Sequence, residues 1–451
     1  MTERSLLASN RSPSDMRKWI QLCIRARLLK LSTCLRNSDG DKKHKDFIPS
    51  RSINDRETGS IREFQPARRL KRIKTPEMGK CFVLARQLPR CINLSLGEPD
   101  FPVPKTALDA GWKATKEGKT RYEPTNGLPE LREALAEKAY RDYGVRYDPD
   151  SEVLITVGAT EAISIALLAL LNPGDEVLIS DPGFVAYEPC VALSEGVPVR
   201  IPLREKNHFK PSVRDVTSLR TPESRVMLLN FPNNPTGSIL SHEEAIRLAK
   251  IAAERDMLVI SDEVYEKIVY EGTKHECMAA LPRMRERTLV VGSFSKTYAM
   301  TGLRVGYVYG PKELITPLWT LHQYLVACVD TIAQHIGLAA LTGPQQSVGK
   351  MVKELSRRRD LVHERLNKIK GVRCALPGGA FYAFPNIGSF NMSSEQFSEF
   401  LLKEAQVITV PGSMFGRLGE GYIRLSYTTA YSKLEEALDR IEKALKKLKH
   451  N

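Results

Sequence analysis

From about Ala67 onward, short apolar runs alternate with longer stretches whose apolar positions recur every three or four residues. Residues 153–157, 176–180, 226–230, 257–261, 288–291 and 303–309 read as strands. Most are apolar on both faces, the pattern of strands covered on both sides. Helical stretches fall between them. Ser241 with Glu244, and Ser432 with Glu435, have the spacing of capping boxes. The second opens a C-terminal helix striped by Leu434, Leu438, Ile441, Leu445 and Leu448. No fixed-period repeat or low-complexity segment interrupts the order. The pattern predicts an α/β fold with a mostly parallel sheet, of the seven-stranded type, covered by helices.

Composition supports a sizeable buried core: 451 residues, 42% of them hydrophobic. A formal net charge of +14 raises the question of a nucleic-acid or anionic-membrane partner. The charge is unevenly placed. Residues 1–80 hold 20 Lys and Arg against 9 Asp and Glu, leaving 47 against 44 for the remainder, so the globular part is nearly neutral. Neither partner is expected. The longest mostly apolar run, 162–171, is about half the roughly 18 to 20 residues of a membrane span. Eight cysteines without a CxxC pair, and histidines without ligand spacing, indicate reduced thiols, a cytoplasmic setting and no metal.

Residues 1–67 read as a basic, disordered extension. An amphipathic basic stretch at 15–36, with Met16, Trp19, Ile20, Ile24, Leu28 and Leu31, also resembles an organellar targeting segment. Glu3, Asp15 and the polar run 39–46 argue against targeting, and a partner-binding arm is the third reading.

The candidate chemistry sits at strand ends. The strand 288–291 runs into Gly292-Ser293-Phe294-Ser295-Lys296-Thr297, which delivers a lysine to a small polar turn. A desolvated amine beside other cations becomes nucleophilic near neutrality and forms Schiff bases. Alone, Lys296 reads as a solvated loop lysine. Arg304, eight residues on in a Gly-flanked segment, has the planar fork that holds a phosphate, and Ser293 offers a hydroxyl to the same anion. Gly158-Ala159-Thr160-Glu161 lies between a strand and an apolar helix, where backbone N–H groups receive anions. Asp262, at the tip of the strand 257–261, can hold a pyridinium N–H or cap a helix, and Tyr265 follows three residues later. The two prolines of Asn230-Phe231-Pro232-Asn233-Asn234-Pro235-Thr236-Gly237 stiffen a turn that aims the Asn234 amide.

In this order, from about Arg69 to Lys449, the segments resemble the class I aminotransferases of pyridoxal 5'-phosphate (PLP) fold type I, in particular the prokaryotic aspartate/aromatic branch. The resemblance rests on Asn-Asn-Pro-Thr-Gly at 233–237, Ser-Asp-Glu-Val-Tyr at 261–265, Ser-Phe-Ser-Lys at 293–296 with its arginine eight residues on, and Ile423-Arg424-Leu425-Ser426-Tyr427. It implies that Lys296 carries the cofactor as a Schiff base and moves the α-proton. Asp262 then partners the pyridine nitrogen, Tyr265 and Asn234 the 3-oxygen, and Ala159, Thr160, Ser293 and Arg304 the phosphate. Arg424 clamps the substrate α-carboxylate, with backbone from Gly97 of Leu96-Gly97-Glu98-Pro99-Asp100 beside it. Tyr122 resembles the tyrosine that reaches the phosphate from the other subunit, which implies a homodimer with shared sites.

Phe184 stands where several members of the family place a tryptophan over the cofactor ring, so stacking survives and an indole N–H is lost. Some aspartate-specific relatives carry a lysine at the position of Thr160; without that charge, a broader donor range that includes aromatic amino acids is open. The implied architecture is a large PLP domain of about 105–330 and a small domain of about 68–104 and 331–451, with the site in the cleft between them. The implied reaction is transfer of the amino group of an L-amino acid to a 2-oxo acid, 2-oxoglutarate foremost. Two rival readings are a PLP-dependent carbon–sulfur β-lyase on the same fold and an aminotransferase-like transcription regulator.

Overall fold

All six strand-like runs enter one sheet, joined by a seventh strand that the apolar pattern does not show. The structure, a computed structural model, describes residues 65–73, 87–88 and 90–448. The readings made for residues 1–64 lie outside the described residues. In chain order the strands are β1 (Ile92–Asn93), β2 (Val153–Thr156), β3 (Glu176–Asp181), β4 (Val197–Pro202), β5 (Ser224–Asn230), β6 (Leu258–Asp262), β7 (Thr288–Ser293), β8 (Gly306–Tyr309), β9 (Tyr382–Ala383), β10 (Val407–Ile408), β11 (Val410–Pro411) and β12 (Ile423–Ser426). The large sheet has the order β2-β8-β7-β6-β5-β3-β4. Its neighbours pair in parallel except at β8, which runs antiparallel to both β2 and β7.

Strand β4 escaped the pattern because it carries Pro198 and Pro202, which cannot donate to a ladder. At the sheet's edge, where β4 lies, the missing donors need no partner. The strand expected over 303–309 begins only at Gly306. Thr301–Leu303 forms a 3-10 turn and Arg304 is left-handed at φ 54°, so the extended ladder cannot run through it.

Alternation along the strands divides their side chains between two faces. Val177, Ile179, Val226 and Leu228 join the core beneath the helix Gly158–Leu170, whereas Leu178, Met227 and Leu229 join the core that includes the helix His242–Glu254. Helices on both faces with the sheet between them make three layers. The helix Thr331–Thr342, just past the expected boundary near 330, packs Ala333, Ile336 and Ala340 in one core with Val153, Val290 and Tyr307.

The remaining strands form two small sheets, β1 parallel to β10 and β11-β12-β9 antiparallel. They share a core with the helices Gln346–Lys368 and Tyr431–Leu445. The C-terminal stripe is buried as expected at Leu434, Leu438, Ile441 and Leu445, with Leu448 half-buried against the same cluster. Its capping box is absent: the helix starts at Tyr431 with Ala430 as N-cap, which puts Ser432 inside the first turn. The box at Ser241 and Glu244 forms, and a further one forms at Ser393 and Gln396. No helix among the described residues is long and apolar enough to cross a membrane.

Candidate active site

Residues that can carry chemistry gather at one edge of the large sheet. Strands β2, β3, β5, β6 and β7 all end there, leading into Gly158, Phe184, Asn234, Asp262 and Lys296, and β8 begins there, just after Arg304. Ligands of open parallel sheets bind at the carboxyl ends of the strands, where loops diverge and backbone N–H groups are free to turn outward.

Lys296 lies in the short helix Phe294–Thr297 directly after β7, and its Nζ donates to the Gly97 carbonyl at 2.7 Å. Burial pushes its amine down to about 8, with the Arg424 and Arg304 cations pressing the same way against Glu98 and Asp262. Asp262 shows the opposite effect. Its carboxyl, 4% exposed, is pushed up to about 6 by burial, although hydrogen bonds from the Tyr187 hydroxyl (2.6 Å) and the Val264 N–H (3.3 Å) oppose the shift.

Arg424, 3% exposed on β12, donates from Nη1 to Asn234 Oδ1 at 3.0 Å and from Nη2 to the Ser95 carbonyl at 2.6 Å. Its guanidinium lies over the rings of Tyr382 and Phe415, 4.5 and 4.8 Å from their centroids. Because Oδ1 of Asn234 faces Arg424, its Nδ2 faces the other way, as expected of a donor to a ring oxygen. The backbone of Asn234 is held by Asn230 Oδ1, and the Asn230 amide reaches the Asp262 carbonyl. Tyr265 shares a hydrogen bond of 2.9 Å with Tyr382.

The anion cradle is built from a close approach. Gly158 takes φ 73°, and a Cβ there would lie 2.6 Å from Arg304 Nη2. At Gly306 a Cβ would meet the Gly158 carbonyl carbon at 2.5 Å. Two glycines therefore let the Arg304 segment come against the first turn of the helix Gly158–Leu170, which contains Ala159 and Thr160 and has no side-chain cap at Val157. Ser293 Oγ lies 2.9 Å from Ser295 Oγ and 3.2 Å from the Val305 carbonyl, and its single proton goes to one of them. Phe184 meets Tyr187 edge to face, with centroids 5.5 Å apart.

Tyr122 is 87% exposed. Sequence reasoning missed Tyr187, Tyr382 and Ser95. Tyr187 sits three residues after Phe184 at the start of a helix, a spacing that puts both on one side. Tyr382, in Gly378-Gly379-Ala380-Phe381-Tyr382, has no local mark of function.

This set of groups suits one kind of ligand: an anion at the helix start, a basic ring nitrogen at Asp262, and a carbonyl within reach of an amine of lowered pKa. PLP presents all three, and the residues present fit it. Fold and site together define a PLP-dependent enzyme of fold type I. The chain belongs to the aminotransferase class I and II family, whose model matches residues 89–441. It is 43% identical over 383 residues to aromatic-amino-acid aminotransferase 2 of Thermococcus litoralis, and to the same extent to an aspartate aminotransferase of Pyrococcus abyssi; each match covers 84% of this chain and 98% of the relative. The solved structure of an aromatic aminotransferase from Pyrococcus horikoshii OT3 matches with a TM-score of 0.78 at 42% identity, over 82% of this chain and 99% of that one. This chain is a PLP-dependent aminotransferase, acting on an amino acid and a 2-oxo acid.

Proposed function

We propose that the enzyme moves the amino group of L-aspartate or an aromatic L-amino acid to 2-oxoglutarate, with Lys296 as the residue that binds the cofactor and transfers the proton. The supporting observation is the Lys296 amine itself, lowered to about 8 within a site that also holds a buried carboxylate and a buried guanidinium fork. PLP, when bound, supplies an electron sink for the bond broken at the substrate's α-carbon. Lys296 Nζ would take the proton from that carbon and return it two atoms along, a 1,3-shift suited to an amine that titrates near neutral pH. Arg424 binds the α-carboxylate and, with Gly97 beside it, sets which substituent faces Lys296. Asp262 holds the proton on the ring nitrogen, Asn234 and Tyr265 hold the ring oxygen, and Phe184 covers a ring face. Ala159, Thr160, Ser293 and Arg304 hold the phosphate.

The donor range rests on charge: Thr160 is neutral, and Phe184 is an apolar ring. Both names carried by the relatives, aspartate and aromatic, fall within that range. We propose a homodimer in which the exposed Tyr122 reaches the partner's phosphate site. The cleft runs between a large part of about 105–330, joined by the helix Thr331–Thr342, and a smaller part made of the rest of 68–451. The free thiols among the described cysteines support a cytoplasmic setting.

Lys296→Ala should abolish both half-reactions and the visible absorbance of the Schiff base between the lysine and the cofactor. Turnover at the wild-type rate would overturn the assignment. Mixing Tyr122→Phe with Lys296→Ala chains checks the shared site: in the mixed dimer the site that keeps Lys296 turns over at the wild-type rate if its tyrosine comes from the partner, and the reduced Tyr122→Phe rate there counts against sharing.

A further inference from the structure

Building on that assignment of Lys296 and Tyr265, we infer that Tyr382 is a positioning residue: it donates its hydroxyl proton to Tyr265 and thereby turns the Tyr265 proton toward the ring oxygen of the cofactor.

The two hydroxyls are 2.9 Å apart and both residues are buried, Tyr265 3% exposed and Tyr382 1%. A phenol has one proton to give. If Tyr265 spends its proton on Tyr382, it has none for the cofactor; if Tyr382 is the donor, Tyr265 is free to donate onward. The distance alone does not distinguish the two, but the surrounding charges do. The Arg424 guanidinium lies over the Tyr382 ring at 4.5 Å, a cation that makes this phenol more acidic. Burial pushes both phenols up, so both stay protonated. The Arg424 cation opposes the shift at both phenols, but Tyr265 also faces the Asp262 carboxylate, which adds to it, while Tyr382 does not. The more acidic phenol donates and the less acidic one accepts.

Packing fixes the Tyr382 hydroxyl in place. A Cβ at Gly97 would stand 2.2 Å from Tyr382 Oη, so the hydroxyl rests against the backbone of the residue whose carbonyl accepts from Lys296. The ring is wedged edge to face against Tyr265, with centroids 5.8 Å apart. One phenol thus touches the segment beside Lys296, the fork proposed for the carboxylate, and the donor proposed for the ring oxygen.

The test uses the holoenzyme and reads the pH midpoint of the visible absorbance change of bound cofactor. A weaker donor at the ring oxygen leaves more negative charge there, so the neighbouring proton is held more tightly and the midpoint rises. In Tyr382→Phe, which keeps the ring over Arg424, the midpoint should rise by about half a pH unit, a fraction of one neutral hydrogen bond passed through a second. The same substitution in a Tyr265→Phe background should move nothing further. An unchanged midpoint in Tyr382→Phe, or an equal shift in both backgrounds, overturns the inference. Near-ultraviolet circular dichroism of the cofactor-free protein reports folding independently; a misfolded Tyr382→Phe also counts against a role that depends on one oxygen atom. If turnover survives at the wild-type rate in Lys296→Ala, the assignment of Lys296 has failed instead, which separates the two outcomes.

Discussion

Asp262→Asn should stabilise the cofactor-free protein at alkaline pH and weaken its hold on PLP. The Asp262 carboxyl is raised by burial from 3.8 to about 6. A shift of about 2 pKa units at 1.36 kcal/mol each corresponds to about 3 kcal/mol of folding free energy. The sign follows from the direction. A folded-state pKa above the unfolded one favours folding while the group is protonated, and that advantage is lost as pH rises from about 4 through about 6. At pH 8 the native state therefore bears the full burden of an ionised, buried carboxylate, while at pH 5 about half of it has developed. An amide carries no charge to bury, but it replaces an oxygen that accepts from Tyr187 or Val264 with an NH2 group, at a cost of about 1 kcal/mol for one mismatched hydrogen bond. The net expectation is a gain of about 1–2 kcal/mol at pH 8 and of a few tenths or less at pH 5. Urea unfolding of the cofactor-free variant and wild type at the two pH values measures it. A destabilisation of equal size at both would show that burial does not penalise this carboxylate. With PLP the order reverses, because a hydrogen bond to a charged partner is worth about 1.5–3 kcal/mol, so cofactor affinity should fall roughly ten- to a hundredfold.

Cofactor capture by the cofactor-free protein should speed up with pH around a midpoint of about 8, because the unprotonated Lys296 amine attacks; a midpoint near that of an ordinary lysine, about 10.4, would exclude the lowered amine. Arg424→Lys should raise the KM for amino acids at least tenfold through loss of the two-pronged fork, seen in half-reaction titrations, with folding unchanged. Tyr187→Phe removes the phenol proton from Asp262 and should raise the Asp262 pKa further, measured as a shift of the same urea–pH profile to higher pH. Lys138→Met strands the Glu266 carboxylate, 2.7 Å away in a buried pair, and should lower stability by about 3–5 kcal/mol in thermal or urea unfolding.

Several parts of the site that were legible in the sequence share one property: each lies at the end of a strand or in the polar turn directly after it. Lys296, Asp262 and the Gly158 turn are of this kind, and the register that aligns Asn230 with Asp262 and Asp262 with Val291 follows from parallel pairing. Tyr187 and Tyr382 are different. Their partners lie 75 and 117 residues away, and beyond the spacing of Tyr187 from Phe184 nothing in their own segments indicates them. They act through tertiary packing, which local pattern does not encode. The same holds for Arg304, whose residue type was legible and whose left-handed backbone, the reason β8 starts late, was not. Strand β4 was hidden by prolines that only an edge position tolerates, and the order of strands is a tertiary fact.

The segment after β6 shows why such tertiary partners matter to the chemistry. Asp262 and Tyr265 face the site, while Glu263 and Glu266 point into the protein behind it. Glu263 accepts from Ser261 Oγ at 2.9 Å and the Met278 N–H at 3.1 Å and lies 2.7 Å from His275 Nε2; Glu266 accepts from Lys138, Tyr143 and Tyr307. The buried acids are thus tied to three other parts of the chain, around 138–143, 275–278 and 307. A turn held from behind in this way keeps the Asp262 carboxylate and the Tyr265 hydroxyl in place without using any donor or acceptor on the reactive side, so those groups stay available to the cofactor. The charge of Glu263 also adds to the upward push on Asp262, so the clamp that positions this carboxylate helps to set its proton affinity.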